Sequence, residues 1–284
     1  MCFEASDRPP LPPRTGHLAS SERVLVQADD GSEVAARLAR TREPSAPGVV
    51  LLPDVRGLHP YYEDLAERFA DAGVHAIAID HFTRTAGTGY RAVDFDNGPH
   101  RNEVRDEHSR MDAQAAASLL LKAGVTSVYV LGFCKGGRAA FMQASQDGIA
   151  GVVGLYGWPT REEQGRSPVD EARRGLVKAR VLALYGSADK GISADDVTAY
   201  DEALSNAGAS HETVVYPGAP HSFFDRKMTE HTHACADAWR RMLAFMGVPM
   251  QTSGGDPAAS TPTARLRPGV GRDLRPGAPR SKTP

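Results

Sequence analysis

Short apolar segments alternate with helical segments through most of this sequence. Strands are predicted at Val49–Leu52, Val74–Ile79, Ser127–Leu131, Gly151–Tyr156, Arg180–Tyr185 and Glu212–Tyr216. The helices between and after them are predicted at Tyr62–Asp71, Glu103–Ala123, Gly136–Gln146, Val169–Lys178, Ala194–Ala207 and Lys227–Met246. An unbroken apolar run such as Val49–Leu52 is typical of a strand buried on both faces. The alternation therefore predicts an α/β fold in which helices cover both faces of a mostly parallel sheet.

Two segments with alternating apolar residues precede this pattern. Val24–Ala28 and Val34–Ala39 flank the turn sequence Asp29-Asp30-Gly31, which predicts an N-terminal antiparallel hairpin at one edge of the sheet. Ligands of such sheets bind beyond the carboxyl ends of the strands. Functional residues are therefore expected directly after each strand.

Proline marks the ends of the chain. Of the 20 prolines in 284 residues, four lie in residues 1–17 and six in residues 251–284. Breaker-rich segments of low hydrophobicity cannot bury enough apolar surface to fold. We therefore expect a disordered N-terminal segment at 1–17, one domain at 18–250, and a disordered tail rich in Pro, Gly and Arg at 251–284.

Charge and hydropathy exclude several classes of partner. The net charge of −2 gives no basic surface for nucleic acid, and no apolar run has the length of a membrane span. No secretory signal pattern is visible at the start of the sequence, and three cysteines are too few for a disulfide framework. A cytoplasmic location is expected, with no nucleic-acid or membrane partner.

A glycine-rich turn follows the strand at Ser127–Leu131. Its sequence, Gly132-Phe-Cys134-Lys135-Gly136-Gly137, is the nucleophile-elbow pattern G-x-S-x-G with cysteine in the serine position. Such a turn places the nucleophile at a helix N-terminus, where backbone N–H groups favour a thiolate. The N–H of Lys135 is the first candidate to stabilise an oxyanion. The alternative is a buried, inert cysteine.

Two further residues occupy the positions that a catalytic triad requires. Asp189 follows the strand Arg180–Tyr185, and His221 follows the strand Glu212–Tyr216, so nucleophile, acid and base occur in the order of an α/β-hydrolase. The histidine would deprotonate Cys134, and the aspartate would fix the imidazole tautomer. Asp189 alone could be a helix N-cap and His221 alone a loop histidine, but the agreement of three placements favours a triad.

Together these motifs resemble the dienelactone hydrolase family of α/β-hydrolases. The resemblance rests on Gly132–Gly137, Gly186-Ser-Ala-Asp189, Tyr216–Phe223 and Leu52-Pro-Asp54-Val-Arg-Gly57, and covers about residues 22–246. It implies an α/β-hydrolase fold and hydrolysis of a small lactone or ester through an acyl-cysteine intermediate. It also implies a small-molecule substrate, no metal and no organic cofactor.

The resemblance extends to residues around the triad. It implies that the Val55 N–H joins that of Lys135 in the oxyanion hole. It also implies that Asp54, where the family typically has Glu, regulates the thiol. As the alternative, Asp54 caps the helix after Pro60.

Substrate contacts are also implied by the resemblance. Arg84 matches one of two arginines that bind a substrate carboxylate in the family, or else it is a solvated loop residue. The second arginine is expected four residues after His221, where this chain has Asp225, with Arg226 one position later. Tyr156 and Trp158 either line the substrate pocket or pack in the core.

Other functions and features remain open. The alternatives are a broad carboxylesterase or thioesterase, and a catalytically weak member that binds a small ligand or senses oxidants through Cys134. A monomer or weak homodimer is expected. His231, His233 and Cys235 resemble a metal cluster, but residues i and i+2 of a helix point apart, which favours a surface helix face.

Overall fold

A computed structural model describes residues 8–92, 94–225, 227–249 and 264–265. Within them, nine strands form one sheet in the order β1-β2-β4-β3-β5-β6-β7-β8-β9. The strands are β1 (Leu18–Gln27), β2 (Glu33–Thr41), β3 (Gly48–Leu52), β4 (His75–Ile79), β5 (Val128–Phe133), β6 (Ile149–Leu155), β7 (Arg180–Gly186), β8 (His211–Tyr216) and β9 (Ala264–Arg265). Strands β3 to β8 run parallel, while β1, β2 and the two-residue β9 pair antiparallel. The predicted α/β class and N-terminal hairpin are confirmed.

Helices cover both faces of the sheet. They are α1 (Pro60–Asp71), α2 (Thr83–Ala86), α3 (Gly98–Arg101), α4 (Asp106–Lys122), α5 (Lys135–Met142), α6 (Pro168–Arg173), α7 (Ala194–Asn206) and α8 (Thr232–Phe245). The last helix begins five residues later than the Lys227 that periodicity predicts. The chain there forms turns, closed by the N–H groups of Glu230 and His231 donating to the Lys227 carbonyl.

The central strands are buried as their continuous apolar sequences predict. Every residue of β3, β4 and β5 is buried. Parallel register places Leu52, the last residue of β3, opposite Gly132 in β5. The two chain segments that leave these strands therefore emerge side by side, one leading to Val55 and the other to Cys134.

The N-terminal segment differs from the expectation over residues 8–17. The Trp239 indole N–H donates to the Pro10 carbonyl at 3.0 Å, and the Gly16 N–H donates to Asp71 Oδ1 at 2.7 Å. This part of the expected disordered segment therefore packs on α1 and α8, contacts that the local composition does not encode. Residues 1–7 lie outside the described residues, as does the tail apart from 264–265.

Helix α8 also corrects one expectation. Cys235 is buried, and its thiol donates to the Phe223 carbonyl at 3.3 Å, so this residue faces the core, whereas His233 is exposed as expected. Burial raises the pKa of the Cys235 thiol to about 12. Across the described ranges, no group of His, Cys, Asp and Glu side chains could hold a metal ion, and no helix is long and apolar enough to cross a membrane.

Candidate active site

Cys134 lies in the turn between β5 and α5, in a backbone conformation that residues other than glycine rarely adopt. Its φ is 55° and its ψ is −114°, and it is 9% exposed. Its N–H donates to the Leu155 carbonyl of the neighbouring strand at 3.0 Å, which ties the turn to the sheet. Such strain persists only where the surroundings impose it, and it is concentrated at functional sites.

Glycines make this turn possible. A Cβ on Gly132 would lie 1.9 Å from the Gly136 carbonyl oxygen, and a Cβ on Gly136 would lie 2.1 Å from the Leu52 carbonyl oxygen. Helix α5 therefore begins in direct backbone contact with the ends of β5 and β3. The predicted elbow is present, with both glycines required by close approach.

Replacing Gly136 by alanine is expected to destabilise the fold by about 3 kcal/mol or more, because rigid backbone atoms must move to accept the methyl group. Urea unfolding measures this loss. Gly89→Ala is the matched control, since its Cβ would approach only an Arg91 guanidinium nitrogen at 3.9 Å. Equal stability of the two variants would contradict the packing described above.

Asp189 and His221 form a direct pair. His221 Nδ1 lies 2.7 Å from Asp189 Oδ2, while Asp189 Oδ1 accepts N–H groups from Gly191 at 2.8 Å and Ile192 at 3.2 Å. The carboxylate is thus fixed through both oxygens, and this pairing favours the imidazole tautomer protonated at Nδ1. The helix-cap alternative for Asp189 is wrong, because Ser193 caps α7 in a capping box.

Two aromatic rings lie against the imidazole of His221. The ring centroids of Tyr156 and Trp158 are 5.0 Å and 4.9 Å from it. The Trp158 indole N–H donates to the Gly191 carbonyl at 2.8 Å, so it also braces the turn that holds Asp189. Tyr156 is 1% exposed and packs against the histidine ring, as the core alternative expects, and its place in the pocket lining stays a prediction. Trp158 is half-buried and is the more accessible of the two.

The second ring nitrogen of His221, Nε2, is available for proton transfer. Nε2 is buried and has no hydrogen-bond partner within the residues that the structure describes. With Nδ1 protonated and paired to Asp189, a neutral imidazole presents a lone pair at Nε2. This nitrogen can therefore accept a proton.

Residues expected at the oxyanion hole come from adjacent strands. Val55 follows β3 and Lys135 follows Cys134, each three positions beyond the paired residues Leu52 and Gly132. The Lys135 side chain is mostly buried, and its Nζ lies 3.6 Å from Glu163 Oε2. Lys135 is thus partnered by a carboxylate rather than pointing freely to solvent.

Asp54 is engaged by a neighbouring arginine. Its Oδ1 accepts from the backbone N–H and from Nε of Arg56, both at 2.9 Å, and its Oδ2 lies 2.8 Å from Arg56 Nη2. The cap of α1 is instead His59, whose Nδ1 accepts the Tyr61 N–H at 3.2 Å, so the capping alternative for Asp54 is wrong. The family-derived thiol-regulating role of Asp54 stays a prediction.

Arg56 also contacts Asp225 Oδ2, and the two side chains are 4% and 1% exposed. Burial acts to lower the pKa of the Arg56 guanidinium, but the charges of Asp54 and Asp225 outweigh it and raise the pKa above its ordinary value. Sequence reasoning noticed Asp225 only as a departure from the expected arginine and missed Arg56. The available signal for this pair was that Arg56 and Asp225 carry opposite charges and both lie in loops that follow strands.

Arg84 is held by carboxylates on two other elements. Its Nη1 lies 2.5 Å from Asp30 Oδ2 and its Nη2 lies 2.6 Å from Asp112 Oδ1, joining the β1–β2 turn to α4. Arg84, expected to contact a substrate anion, therefore forms ion pairs within the protein. Its partners lie 54 and 28 residues away in sequence, so the sequence pattern did not reveal them. Arg226 lies outside the described residues.

Two buried histidines near the site are uncharged at neutral pH. Burial lowers the pKa of His81 to about 3, with the charge of Lys135 acting in the same direction. Burial, assisted by the charge of Arg56, lowers the pKa of His59 to about 4. Neither histidine takes up a proton in the folded protein until the pH approaches these values.

This predicts a loss of stability in mild acid. Below pH 6.5 the unfolded chain protonates these histidines and the folded chain does not, so stability is full above that pH and falls as pH decreases. Between pH 7 and pH 5 each histidine accounts for about 2 kcal/mol of unfolding free energy. His81→Phe, which keeps a ring beside Phe82, should reduce the loss by that amount in urea unfolding. If His81→Phe loses as much unfolding free energy as the parent between pH 7 and pH 5, the lowered pKa of His81 is contradicted.

Comparisons with known proteins support a family assignment. The model of the dienelactone hydrolase family matches residues 34–249. The chain is 30% identical to a "Putative carboxymethylenebutenolidase" of Escherichia coli strain K12 over 229 residues, 76% of this chain and 82% of that protein. A protein with the same name from Yersinia pestis is 29% identical over 223 residues, 75% of this chain and 83% of that protein.

Solved structures show the same fold. A crystal structure described as a "Putative Dienelactone Hydrolase" from Klebsiella pneumoniae has a TM-score of 0.70 at 28% identity and covers 81% of this chain and 99% of its own. The dienelactone hydrolase-like promiscuous phosphotriesterase P91, from metagenomic libraries, has a TM-score of 0.66 at 22% identity, covers 82% of this chain and 98% of its own, and supports the fold alone. On the family match and the shared α/β-hydrolase fold, the chain belongs to the dienelactone hydrolase family of hydrolases.

Proposed function

We propose that this protein hydrolyses a small lactone or ester through an acyl-cysteine intermediate on Cys134. The single observation that supports this most is the 2.7 Å pair between His221 and Asp189, and the strained turn of Cys134 adds to it. A strained residue at a helix N-terminus and an oriented imidazole with an accepting nitrogen are the parts that nucleophilic acyl transfer requires.

Acylation begins when His221 Nε2 accepts the proton of the Cys134 thiol. The sulfur attacks the carbonyl carbon of the substrate, and the N–H groups of Lys135 and Val55 stabilise the negative oxygen that forms. When this intermediate collapses, the C–O bond to the leaving oxygen breaks, and that oxygen takes the proton from His221. In a lactone the leaving oxygen remains attached to the acyl chain.

Deacylation uses the same groups, with water as the nucleophile and the Cys134 sulfur as the leaving group. His221 Nε2 accepts a proton from water, whose oxygen adds to the thioester carbonyl. Collapse breaks the C–S bond, releases the carboxylic acid and returns the proton to Cys134. Asp189 stays ionised throughout and stabilises the imidazolium in each half-reaction.

The ion pairs of Arg84 favour neutral substrates over anionic lactones. Its guanidinium is held by Asp30 and Asp112, so recruiting it to a substrate carboxylate means breaking both pairs. This observation favours the second candidate, a broad carboxylesterase acting through the same triad.

A substrate panel tests the proposal. Short p-nitrophenyl esters, acyl thioesters, neutral lactones and an anionic dienelactone would be compared on the full chain. We expect turnover of neutral esters or lactones to exceed that of the anionic lactone. No hydrolysis of any member, with rapid oxidation of Cys134 by peroxide, would instead support the redox-sensing alternative.

A further inference from the structure

A buried bridge of three charged side chains joins the turn after β3 to the loop after β8. Arg56 Nη2 lies 2.8 Å from Asp54 Oδ2 and also contacts Asp225 Oδ2, across 169 residues of sequence. None of the three side chains is more than 4% exposed. Buried ion pairs are weak contributors to net stability, so stability alone is a poor reason for placing two carboxylates around one guanidinium.

The bridge lies between two groups of the proposed reaction. Val55, whose N–H is assigned to the oxyanion hole, stands between Asp54 and Arg56 in the chain. Asp225 follows His221 by four residues, and its N–H donates to the Ser222 carbonyl at 3.2 Å. The bridge therefore spans from the oxyanion segment to the segment of the general base.

Both segments have anchors besides the bridge, and in the turn after β3 the Asp54 N–H donates to the Tyr62 hydroxyl at 3.1 Å. The base loop is held independently of the bridge, because Phe223 and Phe224 are fully buried, His221 is paired with Asp189, and the Tyr61 hydroxyl donates to the Phe224 carbonyl at 2.9 Å. In the turn after β3, both residues that flank Val55 contribute their side chains to the bridge. Loosening the bridge should therefore displace the Val55 N–H before it displaces His221.

We propose that Arg56 and Asp225 are positioning residues that hold the Val55 N–H in the oxyanion hole by fastening its turn to the base loop. This role rests on the proposed function. It requires that oxyanion stabilisation, rather than thiol activation, depends on the bridge. In enzymes with related chemistry, removing one hydrogen-bond donor of the oxyanion hole lowers kcat about 10²–10³-fold. Partial displacement of the Val55 N–H should therefore give a measurable loss of rate.

Two reactions of Cys134 separate these effects. Acylation by p-nitrophenyl acetate forms an oxyanion, whereas alkylation by iodoacetamide forms none and reports on the thiolate and the groups that activate it, His221 and the predicted thiol regulator Asp54. In Asp225→Asn, which preserves shape and removes the charge, we expect acylation to slow at least about tenfold. Alkylation, located on Cys134 by peptide mass spectrometry, should stay within about twofold of the parent chain.

Asp112→Asn is the matched control, because it also breaks a largely buried Arg–Asp pair, but one that joins α4 to the β1–β2 turn rather than the loops of Val55 and His221. Both of its rates should stay within about twofold of the parent. Arg56→Lys retains the positive charge but loses the planar guanidinium that contacts both carboxylates, so it should slow acylation and not alkylation. If Asp225→Asn does not fold, this variant tests the positioning role in its place.

Unchanged acylation in the folded bridge variants, or an equal fall in both reactions, would overturn the positioning role. A parent chain that no ester acylates would instead refute the proposed function, and the role of the bridge with it.

Discussion

Replacing Cys134 by alanine is expected to lower kcat/KM for ester hydrolysis by a factor on the order of 10⁴ or more, because no other group in the proposed mechanism forms the acyl intermediate. Removing a nucleophile from a triad costs about as much as removing all three members. Steady-state hydrolysis of p-nitrophenyl acetate by purified variants measures the effect.

Cys235→Ala is the matched control for this variant. Its thiol is buried, donates to a backbone carbonyl and has a pKa of about 12, so it is not a competing nucleophile. We expect this control to keep the parent activity, and Cys134→Ser to retain only weak activity. Full activity in Cys134→Ala would contradict the mechanism.

Replacing Asp189 by asparagine is expected to lower kcat by a factor on the order of 10³–10⁴. The amide keeps the shape of the side chain, but its NH₂ group can face His221 Nδ1 and favour the tautomer protonated at Nε2. That tautomer cannot accept the thiol proton. The pH dependence of kcat, measured with the rate itself, reports whether the general base has been altered.

Asp195→Asn is the matched control, since Asp195 lies in the first turn of α7 and outside the His221 pair. We expect its kcat to stay within about twofold of the parent. Equal effects of the two variants would argue against a role for Asp189 in orienting the base.

The sheet, and the positions of Cys134, Asp189 and His221 directly after its strands, could be predicted because their signals are local. Each buried strand is a continuous apolar run, and Cys134, Asp189 and His221 each follow one of these runs within a few residues. Parallel strands bring such positions to the same edge of a sheet without further information. The tight turn around Cys134 likewise follows from adjacent glycines.

The surrounding charges could not be predicted because their partners are distant in sequence. Arg84 was expected at the substrate but pairs with Asp30 and Asp112, and Arg56 pairs with Asp225 across 169 residues. Which carboxylate satisfies a buried guanidinium depends on how loops pack, which residue spacing does not encode. Residues 8–17 show the same limit, since a proline-rich sequence does not reveal that Trp239 binds the Pro10 carbonyl.

The most direct test of the account is the mass of the enzyme trapped during turnover. The full chain would be mixed with a slowly deacylating ester, quenched in acid within seconds, digested and sequenced by mass spectrometry. We expect the mass of the peptide containing Cys134 to increase by the mass of the acyl group, and the corresponding peptide of Cys134→Ala to show no increase. An acyl group found on another residue, or hydrolysis without any acylated peptide, would contradict the account.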